Sequence, residues 1–248
     1  MYIEDKASSL AELETYKRTI QVLRQFKKCL FRAQSESGFL QELCELIVHT
    51  GRYRLAWVGY WQEDESGPLV PIACHGQDED DDFVYQCLQL DSAGYRHMGP
   101  SLQALETGEP FLVHDIARMS SMAFSRWKKL ALEHGFGAAL SIPLHLHQEI
   151  LGVLTIYTEV NRGFDPVAEE VLLELSSDIA YGIQSLRTQA DHEQAEEVLK
   201  RTEAKYRAVL ENTGTGTILI ENNETVSFVN ETFTNLTGYS KQEIVGKM

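Results

Sequence analysis

The sequence lacks most of the features that would mark it as secreted, membrane-bound or catalytic. It has four cysteines in 248 residues, at positions 29, 44, 74 and 87, and no two of them form a CxxC pair. Its start, MYIEDK, is acidic and carries no apolar export segment, so the cysteines read as reduced thiols and not as a disulfide framework. The Asn-x-Thr triplets at Asn223, Asn230 and Asn235 then carry no glycosylation meaning, and a cytoplasmic location is expected. No apolar run approaches the roughly 18 residues of a membrane helix. Positive charge is scarce, with 22 Lys and Arg against 37 Asp and Glu, a formal net charge of -15 and a pI near 4.9. Such a field repels nucleic-acid phosphates and anionic lipid, which argues against both as direct partners. The phosphate loop GxxxxGK[ST], the zinc motif HExxH and the nucleophile motif GxSxG are all missing. The GxG in 213–217 precedes a strand pattern, not a helix, and reads as a turn.

The chain does have apolar residues, 43% of the total, enough for a sizeable core. The stretch 137–186 organises them. Two apolar runs, 138–146 and 150–158, flank the polar tip His147, Gln148 and Glu149, which predicts an antiparallel hairpin. Gly152 just after the tip suggests a bulge or a close backbone approach. A long helix follows, with Asp165 placed to cap it, Pro166 in its first turn, and Glu169 and Glu170 at its positive end. Leu172, Leu175, Ile179, Ile183 and Leu186 fall on one face of it. Ile179, Ile183 and Leu186 are the candidate signalling face, and an Asp at Ile183 or Leu186 is expected to break a helical dimer.

Upstream, 6–33 reads as helix, with Leu13, Tyr16, Ile20, Leu23 and Leu30 at heptad spacing, interrupted at Lys27. It could pack on its own domain or pair with a copy of itself. A second helix is expected from about 38 to 50, capped by Ser37. Residues 52–61 (RYRLAWVGYW) are apolar on both faces and read as a central strand, and 69–74 as its neighbour. The acidic run 78–82 reads as solvated, followed by a short helical piece at 83–87 and a short strand at 88–90. Helices at 100–107 and 125–134 bracket a strand at 111–113. The count is about six strands with helices around them, an α+β domain. From 187 to 205 the helix continues with fewer apolar residues, as in a helix that bridges domains or pairs with a copy. Two strands at 217–221 and 225–230 and two short helices then close the chain, too little for a core of their own.

The stretches YRLAWVGY (53–60), LQALETGEPFLVHD (102–115), FGAALSIPLHLHQEILGVLTIYTE (136–159) and FDPVAEEVLLELSSDIAYGI (164–183) resemble a bacterial GAF domain of sensor proteins. AEEVLKRTEAKYRAVLENT (195–213) is similar to the helical joint leading into a PAS domain, and 216–247 to the first half of a PAS domain. The resemblance implies a GAF-like, roughly six-stranded antiparallel sheet flanked by helices. It divides the chain into an N-terminal helix (1–36), a GAF domain (37–187), a helical linker (188–205) and the truncated start of a PAS domain (206–248). In that family such modules precede histidine kinases, diguanylate cyclases or cyclic-di-nucleotide phosphodiesterases. The expectation is therefore a non-catalytic input fragment of a signalling protein, dimeric through its terminal helices, with an output domain in the same chain. A small molecule would sit among residues 75–135, near Trp57, Tyr85, Tyr95, Asp115, Trp127 and His134. A ligand-free dimerisation spacer is the alternative.

Other chemistry is weighed against simpler duties. His145 and His147 alternate at the hairpin tip with no third metal ligand nearby in sequence. Cys74–His75 resembles the bilin-holding pair of phytochrome-like GAF domains but lies too early in the domain. Asn161, Phe164, Asp165 and Glu169 match a cyclic-nucleotide signature only in part. Haem would need an axial His that no spacing singles out. The run 78–82 lacks the spacing of a calcium loop. Cys74 and Cys87 raise a GAF-fold free methionine sulfoxide reductase as an enzyme alternative, yet the acidic residues between them oppose thiol activation. No cofactor is required by the sequence.

Overall fold

In a computed structural model of the chain, residues 17–18, 20–61, 69–77, 80–91, 99–160 and 163–247 are described. They form two compact units, one up to Thr188 and one from Gln189. The first contains α1 (residues 20–32), α2 (Glu36–His49), β1 (Leu55–Trp61), β2 (Leu69–Gly76), α3 (Asp81–Asp91), α4 (Pro100–Thr107), β3 (Phe111–Val113), α5 (Ser125–Glu133), β4 (Phe136–Leu146) and β5 (Glu149–Glu159). The 46-residue helix α6 (Pro166–Glu211) runs on from it. The five strands make one antiparallel sheet in the order β2-β1-β5-β4-β3.

The hairpin β4–β5 forms the middle of that sheet, and β1 pairs with β5, so β1 has a strand on each side. Helices cover both faces of the sheet at β1, which explains why its residues are apolar toward both. Pro143 is tolerated in β4 because the short β3 pairs only with residues 139–141, leaving an open edge beside it. The sheet has five strands among the described residues, not six. Residues 88–90 belong to α3: Phe83, Val84 and Cys87 repeat at helical spacing, and this outweighs the alternation of Leu88 and Leu90. Helix α2 begins earlier than its sequence suggests. Ser35, not Ser37, caps it, its hydroxyl accepting from the Gly38 amide at 3.2 Å.

Alternation along the strands sends side chains to two separate cores. Ala56, Val58, Tyr60, Leu140, Ile142, Leu154 and Ile156 pack under α1, α2 and α6. Leu55, Trp57, Ala139, Val153 and Tyr157 pack under α3, α4 and α5. Helix α1 contributes Val22, Phe26 and Cys29 to the first core, with Leu23 and Leu30 partly buried beside them. The upstream half of the expected heptad, Leu13 and Tyr16, lies outside the described residues.

Asp165 caps α6, its carboxylate accepting from the Val167 amide at 2.9 Å. Ile179 and Ile183 are fully buried in the first core, and Leu186 is partly buried against it. This stripe faces its own domain. An Asp at Ile183 is therefore a core substitution and cannot serve as a clean test of dimerisation. The last turn of α6 within the unit is held by a clasp. Arg187 donates to both carboxylate oxygens of Glu36 at 2.7 Å and lies 5.0 Å over the Tyr60 ring, while the Tyr60 hydroxyl donates to Glu36. Burial alone would raise the Glu36 carboxyl, but the hydrogen bonds from Arg187 and Tyr60 outweigh it and hold it below the usual range.

The second unit adds β6 (Ile218–Ile220), β7 (Val226–Val229), α7 (Glu231–Thr237) and α8 (Lys241–Ile244) to the end of α6. Its centre is Asn230, fully buried. The Asn230 side-chain oxygen accepts from the Thr217 and Phe233 amides, and its amide group donates to the Leu210 and Thr215 carbonyls. One side chain thus ties the helix end, the 213–217 turn and α7 together.

Two stability predictions follow from this packing. A Cβ on Gly152 would lie 2.1 Å from the Gly59 carbonyl oxygen, so Gly152→Ala should lower unfolding free energy by about 3 kcal/mol or more. Urea denaturation checks this, and an unchanged midpoint refutes it. Arg187→Ala should cost about 1 kcal/mol at pH 7, the upper end for a partly exposed pair because the contact is bidentate. Since the folded Glu36 carboxyl titrates below the ordinary glutamate range, this contribution is present above that range. It is lost as pH falls through the lower folded value. The gap between wild type and variant should close in acid, as measured by urea midpoints at stepped pH.

Candidate functional site

One row of residues crosses the whole sheet on the side of α3, α4 and α5. Strand register pairs Cys74 with Trp57, Trp57 with Thr155, Thr155 with Ser141, and Ser141 with Phe111. Paired neighbours on adjacent strands share a face, so all five project toward the same helices. Thr155 and Ser141 are completely buried, and Ser101 at the start of α4 nearly so. The Thr155 hydroxyl lies 2.9 Å from each of the other two, giving a linear chain of three hydroxyls within an apolar layer.

Trp57 stands next to this chain and is 4% exposed. Its benzo edge fits over Gly59, where a Cβ would come within 2.7 Å of Trp57 Cζ3. On the opposite edge of the ring, Nε1 is buried and finds no hydrogen-bond partner among the described residues. An unmatched buried donor costs on the order of 1–3 kcal/mol, so it needs a reason. The surrounding layer is aromatic. Trp127 donates through Nε1 to the Tyr157 hydroxyl at 3.2 Å, and Phe83 meets both Tyr157 and Phe136 edge-on, with ring centroids 5.1 and 4.8 Å apart.

His134 stands at the rim, its ring edge-on to Phe83 at 5.3 Å and its Nδ1 3.6 Å from Asp80. Asp80 is 3% exposed and accepts from Arg54 Nε at 2.9 Å. Burial pushes its carboxyl up against the opposing pull of Arg54 and His134. Asp80 is thus not part of a solvated acidic run. It is an ion-paired anchor at the start of α3.

The other expected site residues are dispersed. Asp115 is exposed, accepts from the Arg118 amide at 3.1 Å, and lines a separate recess of about 310 Å³ with His114 and Leu132. Tyr85 is 55% exposed beside a cavity of about 270 Å³ that Cys74 and Gln41 also line. Tyr95 lies outside the described residues. Of the six, the fold brings Trp57 and Trp127 into one layer and sets His134 at its rim. Sequence reasoning missed Ser101, Ser141 and Thr155. Two of these, Ser141 and Thr155, are hydroxyl residues inside otherwise apolar strands, which is the signal that could have marked them.

Some of the side chains weighed for other chemistry have local structural contacts. His145 Nε2 lies 2.8 Å from the Gly108 carbonyl, and His147 adopts a positive φ of 58° at the hairpin tip. No group of three His, Cys, Asp or Glu side chains suited to a metal occurs among the described residues. Phe164 stacks on Tyr53 at 5.6 Å, and Asp165 caps α6, while Asn161 lies outside the described residues. Burial, with Glu42 adding to it, pushes the Cys29 thiol up to about 12, which makes it a poor nucleophile. No helix among the described residues is long and apolar enough to cross a membrane.

Comparison with known proteins follows the same division as the fold. The model of the GAF domain matches residues 33–184, and that of the PAS fold matches residues 204–248. No curated protein sequence matches. Among solved structures, the chain is similar to the GAF domain of a phosphoenolpyruvate-protein phosphotransferase from Coxiella burnetii. That likeness has 18% identity and a TM-score of 0.54, over 71% of this chain and 98% of the other. The corresponding GAF domain from Acinetobacter gives 13% identity and a TM-score of 0.52, over 70% and 97% of the two chains. A free methionine-R-sulfoxide reductase from Neisseria meningitidis, solved with its substrate, gives 15% identity and a TM-score of 0.53 over 69% and 91%. At these identities the structures speak for the fold alone. With more than half of its length matched by the family model and its sheet built in the same way, the chain belongs to the GAF-domain family, with a PAS-fold segment after the GAF domain.

Proposed function

We propose that the GAF unit is the sensory input of a signalling protein and binds a small molecule on the α3–α5 face of its sheet. GAF and PAS domains together mark a sensory module, and the site chemistry supports the finer reading. The observation that carries it is the buried Nε1 of Trp57, which has no hydrogen-bond partner among the described residues. That donor calls for a ligand with a hydrogen-bond acceptor on a flat apolar body, able to lie against Trp57, Trp127 and Tyr157. The unit itself is not catalytic, and its effect passes to an output domain of the same protein.

The relay would use α6. Past Thr188 its apolar side chains Val198, Leu199, Tyr206 and Val209 are each more than half exposed. Ala195, Val198, Thr202 and Val209 keep heptad spacing, which suits a seam with a second copy. A ligand would bias that pairing only by its unequal affinity for two helix arrangements.

Native mass spectrometry of the purified chain tests the ligand. A retained small-molecule mass is expected in the wild type and should be lost in Trp57→Phe, which keeps an aromatic side chain but deletes the indole donor. If no mass is retained and no compound of a metabolite library raises the melting temperature, a ligand-free spacing role replaces this reading. Sedimentation tests the seam. Val198→Asp should convert a dimer to a monomer without loss of helical content, and an unchanged dimer removes α6 from the interface.

A further inference from the structure

We propose that His49 and His75 form a two-imidazole site for a transition-metal ion of the Zn²⁺, Ni²⁺ or Cu²⁺ class. His49 ends the last turn of α2, and His75 lies near the end of β2, 26 residues later. Their Nε2 atoms stand 3.0 Å apart, with ring centroids 4.7 Å apart and planes inclined by 60°. The elements carrying them are fixed to each other. Gln41 Nε2 donates to the Cys74 carbonyl at 3.1 Å, one residue before His75, and also reaches Glu45 Oε1 at 3.4 Å. The site lies on the α2 side of the sheet, whereas Cys74 and Trp57 project to the other, so it is separate from the sensory layer.

The spacing that joins the two rings by an N–H···N hydrogen bond also admits an ion between them. Two nitrogens at about 2.0 Å from one metal are about 2.8 Å apart as neighbours in a square-planar site and about 3.3 Å apart in a tetrahedral one. The observed 3.0 Å falls between these values. The hydrogen bond that these nitrogens could otherwise make uses one lone pair, while an ion uses both. The acidic field of the chain, with a net charge of -15, draws cations, and Glu45 stands one turn before His49 on α2. No third protein ligand joins the pair among the described residues. The remaining positions belong to water or an exogenous ligand, as in an open, exchangeable site and not a closed structural one. A bound ion would bridge α2 to the edge strand β2 and so stabilise the folded state.

Calorimetric titration of ZnCl₂, NiCl₂ and CuCl₂ into the full chain, with reduced thiols, tests this. A one-equivalent event is expected in the wild type. It should weaken by more than the roughly 10- to 100-fold that even an outer-shell partner costs in each of His49→Gln and His75→Gln. Circular dichroism confirms folding of the variants, and the ¹⁵N signals of both Nε2 atoms should move on addition of Zn²⁺ to the wild type. Absence of the one-equivalent event, or its survival in the double variant, overturns the proposal.

Discussion

The hydroxyl of Thr155, fully buried and held between those of Ser101 and Ser141, fixes the arrangement of the whole first unit. Its neighbours Leu154 and Ile156 point the other way, into the core under α1, α2 and α6. A slip of one residue in β5 would put that hydroxyl into an apolar core with no partner and swing two large aliphatic side chains to the opposite face. The polar trio therefore specifies register where apolar alternation alone would leave both faces similar. It also places Trp57, the partner of Thr155 on β1, in the centre of the layer under α3, α4 and α5.

Strand β1 joins the two parts of the unit that the proposed relay would use. Trp57 faces the layer under α3, α4 and α5, and Tyr60, three residues on, faces the other core and takes part in the Glu36–Arg187 clasp. The proposed relay thus needs no long path. A displacement of the indole acts on a short, interior strand that carries, on its far face, the aromatic ring under Arg187 at the end of the packed part of α6. The clasp is partly exposed and bidentate.

Local chemistry was legible in the sequence, and long-range pairing was not. The hairpin, the capped start of α6 and the aromatic interior strand could all be read from periodicity, Asp165 and Pro166. Gly152 was legible as a bulge or close approach. It meets β1 backbone next to a register shift between Leu144 and His145. The sixth strand at 88–90 was a misreading, because two leucines at alternate positions imitate a strand within a helix whose packing is set by Phe83 and Val84. Trp57 and Trp127 were legible as aromatics, but their meeting in one layer, with an Nε1 that has no partner among the described residues, is a property of the assembled sheet and helices. Glu36 with Arg187, Arg54 with Asp80, and His49 with His75 are far apart in sequence and meet only once helices and sheet have packed. The solvated reading of the acidic run failed at Asp80 for the same reason.

The claim that β1 couples the sensory layer to the clasp is tested most directly by nuclear magnetic resonance of the Arg187 Nε–H group, which donates to Glu36 at 2.7 Å. In Trp57→Phe this signal and those of the Tyr60 ring should shift together with the signals of α3, α4 and α5. If the shifts stay confined to those three helices and the Arg187 and Tyr60 signals do not move, the two faces of the sheet act independently and the coupling account is wrong.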